Sequence, residues 1–200
     1  MEDPSRGDPD GDTAFRIGSI TKVFTALMML MSRDGTLEGN QLPSLDEDIT
    51  KYLPELKIQN PFQTKRGITF NQLSSHMAGL PRETPCPNMF LQGCNLSYDK
   101  IYDNLAEMEL EFPPGQEPQY SNLGFAILGR TLEKFLGTSW EEALPKAILQ
   151  PLGMKNSGNK FTPESIEHLA VGYSHLGTVA SKFLKTNTAE GCGQVIQIQF

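Results

Sequence analysis

Apolar positions cluster in a few stretches separated by glycine, proline and polar turns. From Ser19 to Arg33 a stretch is apolar on nearly every side of a helix, through Val23, Phe24, Ala26, Leu27, Met28, Met29, Leu30 and Met31. Gly35 supplies a stop, so the stretch reads as a helix, and apolar residues on every side predict burial at the centre of a fold. "LPSLDEDITKYLPEL" reads as a turn and short helix punctuated by Pro43 and Pro54. In "RGITFNQLSSHMAGLP", Thr69 is a helix cap, and Gly79 and Pro81 are terminators. Leu80 to Gly93 reads as a loop. Helices follow over about Asp99–Glu109, Asn122–Phe135 and Trp140–Ile148. The pattern weakens beyond Tyr173, and the terminal "IQIQF" alternates like a single strand. Few other runs read as strands. Long irregular loops between helices are uncommon in a complete compact domain.

Composition places the chain among globular proteins. Hydrophobic residues make up 38% and charged residues 20% of 200, enough to bury a core. The formal charge of −7 and the absence of a basic run argue against a nucleic-acid partner. The longest apolar run, Ala26 to Met31, is too short for a transmembrane segment. Met1 to Asp12 reads as a flexible acidic segment without the apolar core of a secretion signal. Cys86, Cys94 and Cys192 match no zinc spacing, and no metal site is expected. Cys86 and Cys94 share a loop and read equally as a small disulfide or as two free thiols. Localisation is therefore open, with pairing pointing outside the cell.

Two constellations carry candidate chemistry. Ser19 and Lys22 stand three residues apart and so share a helix face. At a helix start, exposed N–H groups and the dipole favour developing negative charge. Desolvation disfavours an ammonium, and a neutral amine within reach of a hydroxyl can take its proton. The plainer alternative is a serine N-cap followed by a lysine that snorkels to water. In Tyr120–Ser121–Asn122, a phenol near a cation can act as base or acid, and an amide can hold Lys22 and a substrate amide. Here the alternative is a half-buried tyrosine beside helix caps. His76 reads as a structural histidine that pins a helix end. His168 and His175 carry little weight. Glu141–Glu142 and Asp46–Glu47–Asp48 read as solvated faces or caps, not as an acid pair or metal site.

Taken together, "FRIGSITKVFTALMM", "SLDEDITKYLPE", "ITFNQLSSHMAGLP", "FPPGQEPQYSNLGFAILG" and "ILQPLGMKNSG" occur in one order. They resemble the serine β-lactamase-like family: class C β-lactamases, DD-peptidases, related esterases and animal β-lactamase-like proteins. The resemblance spans Thr13 to Gly172. It implies an α/β fold of the β-lactamase/transpeptidase type, with this chain contributing mostly the helical part and much of the antiparallel sheet missing. Residues 1–12 are then an N-terminal extension, 13–172 a partial domain and 173–200 a divergent tail. Ser19 would be the acylated nucleophile, and Lys22 would ease departure of its proton. Tyr120 would relay that proton and later activate water, while Asn122 would orient Lys22 and the substrate amide. The implied reaction is acyl transfer to water on a small-molecule or peptide acyl substrate, with no cofactor.

Family members begin with strands ahead of the nucleophile and end with a Lys-Thr-Gly or His-x-Gly motif on a later strand. Only eighteen residues precede Ser19, and "LKTN" at Leu184–Asn187 lacks the glycine and comes too early. Loss of the backbone oxyanion donor on that strand would cost about 10²–10³ in rate. The expectation is a truncated form with low or absent activity. A helix stripped of its sheet would expose a sticky apolar face, giving the alternative of a non-catalytic binding or self-associating module.

Overall fold

The computed structural model describes residues 8–37, 39–62, 64, 67–86, 96–160, 162–170 and 197–199. Strand β1 (Ala14–Arg16) pairs antiparallel with β2 (Gln197–Gln199), with Phe15 opposite Ile198. Ala14 is buried and also exchanges backbone bonds with the segment after helix α6 (Pro163–Glu167): its N–H donates to His168 and its carbonyl accepts from Ala170, both at 2.8 Å. The sequence pattern missed β1 and α6. Three residues give no readable period, and β1's partner β2 lies at the other end of the chain.

After β1 a 3₁₀ turn (Gly18–Ile20) leads into α1 (Thr21–Asp34). Gly18 has a φ of +52°, a left-handed conformation that favours glycine. Gly35 closes α1 in the same region, and its N–H donates to Met31 O. The expectation that α1 is buried on all sides is corrected. One face buries Thr21, Thr25, Met28, Met29 and Ser32; on the other, Ile20, Val23, Leu27 and Leu30 are exposed, Val23 by 64%. The polar residues tolerate burial because they can bond along the helix: Ser32 Oγ donates to Met28 O at 2.8 Å.

The other helices are α2 (Phe70–Ser74), α3 (Tyr98–Ala106), α4 (Asn122–Leu136) and α5 (Trp140–Leu144). Four hydroxyls mark their starts: Thr69, Ser97, Ser121 and Ser139 each accept a backbone N–H from the first turn. Thr69 and Gln72 form a reciprocal capping box. Helix α2 stops at Ser74, well short of Gly79, because the chain turns sharply at His76. The helix expected over Trp140–Ile148 changes into a π-helical turn at Pro145–Leu149, where proline has no N–H to continue the ladder. The stretch around Asp46 forms only a 3₁₀ turn, Ile49–Lys51, capped by Asp48.

Helix α4 is the centre of the molecule. Leu123, Ile127, Leu128, Leu132 and Phe135 recur on one face and pack with Met28 and Met29 of α1 and Phe70 and Leu73 of α2. Tyr52 sets its ring edge-on against Phe70 and Phe135, at centroid distances of 5.6 and 5.3 Å. This packing brings the start of α1 and the start of α4 to one place.

Candidate active site

Ser19 stands in the 3₁₀ turn and is not a cap. The N-cap position of α1 is Ile20, which makes no side-chain capping bond. The serine hydroxyl is bound by side chains instead. Lys22 Nζ donates to Ser19 Oγ at 3.2 Å and to Asn122 Oδ1 at 2.7 Å. The Tyr120 hydroxyl lies 2.6 Å from Ser19 Oγ and donates to it. Four residues proposed from the sequence therefore share one hydrogen-bonded cluster, at the surface end of the contact between α1 and α4. Lys22 does not reach away to water. Its Nζ lies 4.8 Å from the Tyr120 ring centroid and 5.6 Å from that of Phe125.

The geometry of Tyr120–Ser121–Asn122 follows from the backbone. Ser121 has φ −130° and ψ 116°, an extended conformation, in which successive side chains alternate sides. Ser121 turns inward and is 3% exposed; its hydroxyl donates to Pro81 O at 2.7 Å and accepts from Gly124 N–H at 2.8 Å. The flanking Tyr120 and Asn122 turn the other way, to Ser19 and Lys22.

His76 braces this segment from below. It is the one non-glycine residue with positive φ among those described, at 61°. Its carbonyl accepts from Gln119 N–H at 2.8 Å, and its Nδ1 accepts from Ser121 N–H at 3.1 Å. Its ring lies 4.5 Å from that of Tyr120. The histidine pins a helix end as expected, but the end is the start of α4. Burial, then the Lys22 charge, hold the imidazole below its usual range, and it serves as the neutral acceptor this bond requires.

Tyr120 is 36% exposed. Burial is the largest influence on its phenol and pushes it up. Hydrogen bonds with Lys22 and Ser19 and the charges of Lys22 and Arg82 together outweigh burial and leave it below the usual phenol range. The Arg82 guanidinium lies 5.1 Å from the ring centroid.

Glu83 was not foreseen. Its carboxylate accepts from Asn122 Nδ2 at 2.9 and 3.1 Å and pairs with Arg82 at 3.3 Å. The only signal was a carboxylate two residues after the proline of Gly-Leu-Pro, whose carbonyl Ser121 binds. Cys86 is disulfide-bonded. Cys94, Cys192, His175 and Leu184–Asn187 lie outside the described residues. Among the described residues no group of three or more His, Cys, Asp or Glu side chains is arranged to hold a metal, and no helix is long and apolar enough to cross a membrane.

The β-lactamase sequence profile matches residues 3–190. The chain belongs to the β-lactamase family. It is 48% identical over 148 residues to β-lactamase-like protein 2 of Dictyostelium discoideum, covering 73% of this chain and 26% of that protein. Its fold is similar to that of a β-lactamase/D-alanine carboxypeptidase from Yersinia pestis, with TM-score 0.72 and 28% identity, over 96% of this chain and 52% of that one. EstCE1, a hydrolase with promiscuous acyltransferase activity, shares the fold at TM-score 0.74 and 22% identity, over 98% and 58% of the two chains. The chain thus spans about a quarter of that curated relative and about half of these solved neighbours. The fold is of the β-lactamase/transpeptidase type, and the described residues are mostly its helical part with little sheet. Its relatives support membership of a serine hydrolase family.

Proposed function

We propose that this chain carries the nucleophilic centre of a serine hydrolase that transfers an acyl group to water through an ester on Ser19. The observation that carries the reading is the convergence of Lys22 Nζ and Tyr120 OH on one serine oxygen, at 3.2 and 2.6 Å. In the phenolate form Tyr120 takes the Ser19 proton as Oγ bonds to the acyl carbonyl carbon. The tetrahedral adduct collapses by breaking the bond to the leaving nitrogen or oxygen, which receives the proton from Tyr120. Water then gives its proton to Tyr120 as it bonds to the ester carbonyl carbon; the bond from that carbon to Ser19 Oγ breaks, the acid is released, and the proton returns from Tyr120 to Oγ. Lys22 and Arg82 supply positive charge that favours the phenolate, and Asn122 holds Lys22 in place. Amide, ester and lactam substrates all suit this chemistry.

The exposed stripe of Ile20, Val23, Leu27 and Leu30 favours a second reading, a non-catalytic binding or assembly module. Labelling with a fluorophosphonate probe and a fluorescent penicillin separates the two. Catalysis predicts labelling that vanishes in Ser19→Ala and falls about 10²–10⁴-fold in Tyr120→Phe. A cooperatively melting chain labelled no faster than its Ser19→Ala variant overturns the hydrolase reading and supports the module.

A further inference from the structure

Asn122 has two chemically opposite ends, and each meets an ion of the opposite kind. Oδ1 accepts from the Lys22 ammonium at 2.7 Å, and Nδ2 donates to both Glu83 oxygens at 2.9 and 3.1 Å. A half-turn of the amide would set NH₂ against an ammonium and a carbonyl against a carboxylate. The ions therefore fix its orientation jointly. The Glu83 side chain is 27% exposed, so water does not wholly replace the bond. Its backbone is held too: Asn122 N–H donates to Arg82 O at 2.7 Å, and the neighbouring Ser121 hydroxyl to Pro81 O. The loop at 81–83 and the start of α4 are thus tied to each other by backbone and side-chain hydrogen bonds.

We propose that Glu83 is a positioning residue that locks the Asn122 amide with Oδ1 toward Lys22, and so fixes Lys22 beside Ser19. The role in turnover rests on the hydrolase reading above; the lock itself does not. It acts through hydrogen-bond acceptance and needs no net charge at position 83. Glutamine, whose carbonyl oxygen can accept from Nδ2, therefore replaces glutamate, and alanine does not.

The test uses the full chain as wild type, Glu83→Ala and Glu83→Gln, each checked for a cooperative melt. Two quantities are read: the rate of Ser19-dependent fluorophosphonate labelling, and the Asn122 side-chain NH₂ resonances in a ¹⁵N-labelled sample. Leaving the part-buried Asn122 Nδ2 without its acceptor predicts that Glu83→Ala labels about 10–100-fold more slowly. Its Asn122 NH₂ protons should also lose their shift and exchange faster with water. Glu83→Gln should restore both to near wild type. Asn122 resonances unchanged in Glu83→Ala overturn the lock, and so does a glutamine variant as slow as alanine, which would mean that charge alone matters. Absence of Ser19-dependent labelling in wild type defeats the hydrolase reading instead, and the Asn122 resonances then decide the lock by themselves.

Discussion

Replacing Ser121 with alanine removes one oxygen and breaks two bonds that hold the candidate site together. The hydroxyl caps α4 by accepting Gly124 N–H at 2.8 Å, and it donates to the buried Pro81 carbonyl at 2.7 Å. Loss of a serine cap costs about 1 kcal/mol. Leaving a buried carbonyl without a donor costs about 1–3 kcal/mol more. The expected loss is about 2–4 kcal/mol, which in a chain of this size lowers Tm by about 4–16 °C. Ser121→Gly divides the sum. Glycine at a cap costs only a few tenths of a kcal/mol, so that variant should lose mainly the carbonyl contribution and be about 1 kcal/mol more stable than alanine. Urea unfolding of the three proteins, fitted with a common m-value, gives both differences. A loss below about 0.5 kcal/mol in Ser121→Ala would refute the reasoning, because either bond alone predicts more. Labelling of Ser19 should also slow in Ser121→Ala, since Tyr120 and Asn122 take their directions from the residue between them.

Gly79→Ala should destabilise by about 2–5 kcal/mol, combining left-handed strain with a forced overlap. The residue has φ +71°, and an added Cβ would lie 2.0 Å from the Phe112 carbonyl oxygen; the urea midpoint measures the loss. Leu128→Ala, at a fully buried position on the face of α4 that packs into the core, should cost about 2–5 kcal/mol by the same assay. The fourth prediction concerns pH. The native state holds the His76 imidazole low, through burial first and the Lys22 charge second, so the unfolded chain binds its proton more readily. Its stabilising contribution is complete above the unfolded value of about 6.5. It is lost as pH falls from there through the folded value and is level below that. Unfolding free energies measured between about pH 8 and pH 5 should fall more steeply in wild type than in His76→Gln, and equal slopes would remove this histidine from the acid response.

How legible each part was depended on the range of the interaction that fixes it. Helices with their own punctuation could be read: Thr69 with Gln72, Ser121 and Gly137 around α4, and Gly35 after α1 are local signals. The Ser19–Lys22 proximity follows from helical spacing alone. Strand β1 could not be read, since its three residues become a strand only by pairing with β2 and the segment near His168. Nor could the sidedness of α1. Its sequence is apolar on nearly every side, and only the position of α4 decides that Thr25 and Ser32 turn in while Val23 and Leu27 remain out.

The tyrosine and asparagine of the site lie between these cases. Their separation by one residue has a local cause, the extended Ser121, which sends its neighbours to the same side. That much is written in Tyr-Ser-Asn. Which side they face is not, because an isolated extended residue fixes no direction in space. The direction comes from the inward anchors of Ser121, its hydroxyl on Pro81 and its N–H on His76, and His76 can reach that N–H because its own φ is positive. A strained histidine after α2 and a carbonyl in the following loop therefore aim side chains about forty residues further along toward a serine near the start of the chain. The same loop, two residues on, supplies Glu83. A sequence motif marks where reactive groups reside, but the groups that aim them lie in the stretch that packs beneath it, and in this chain that stretch is 76–83.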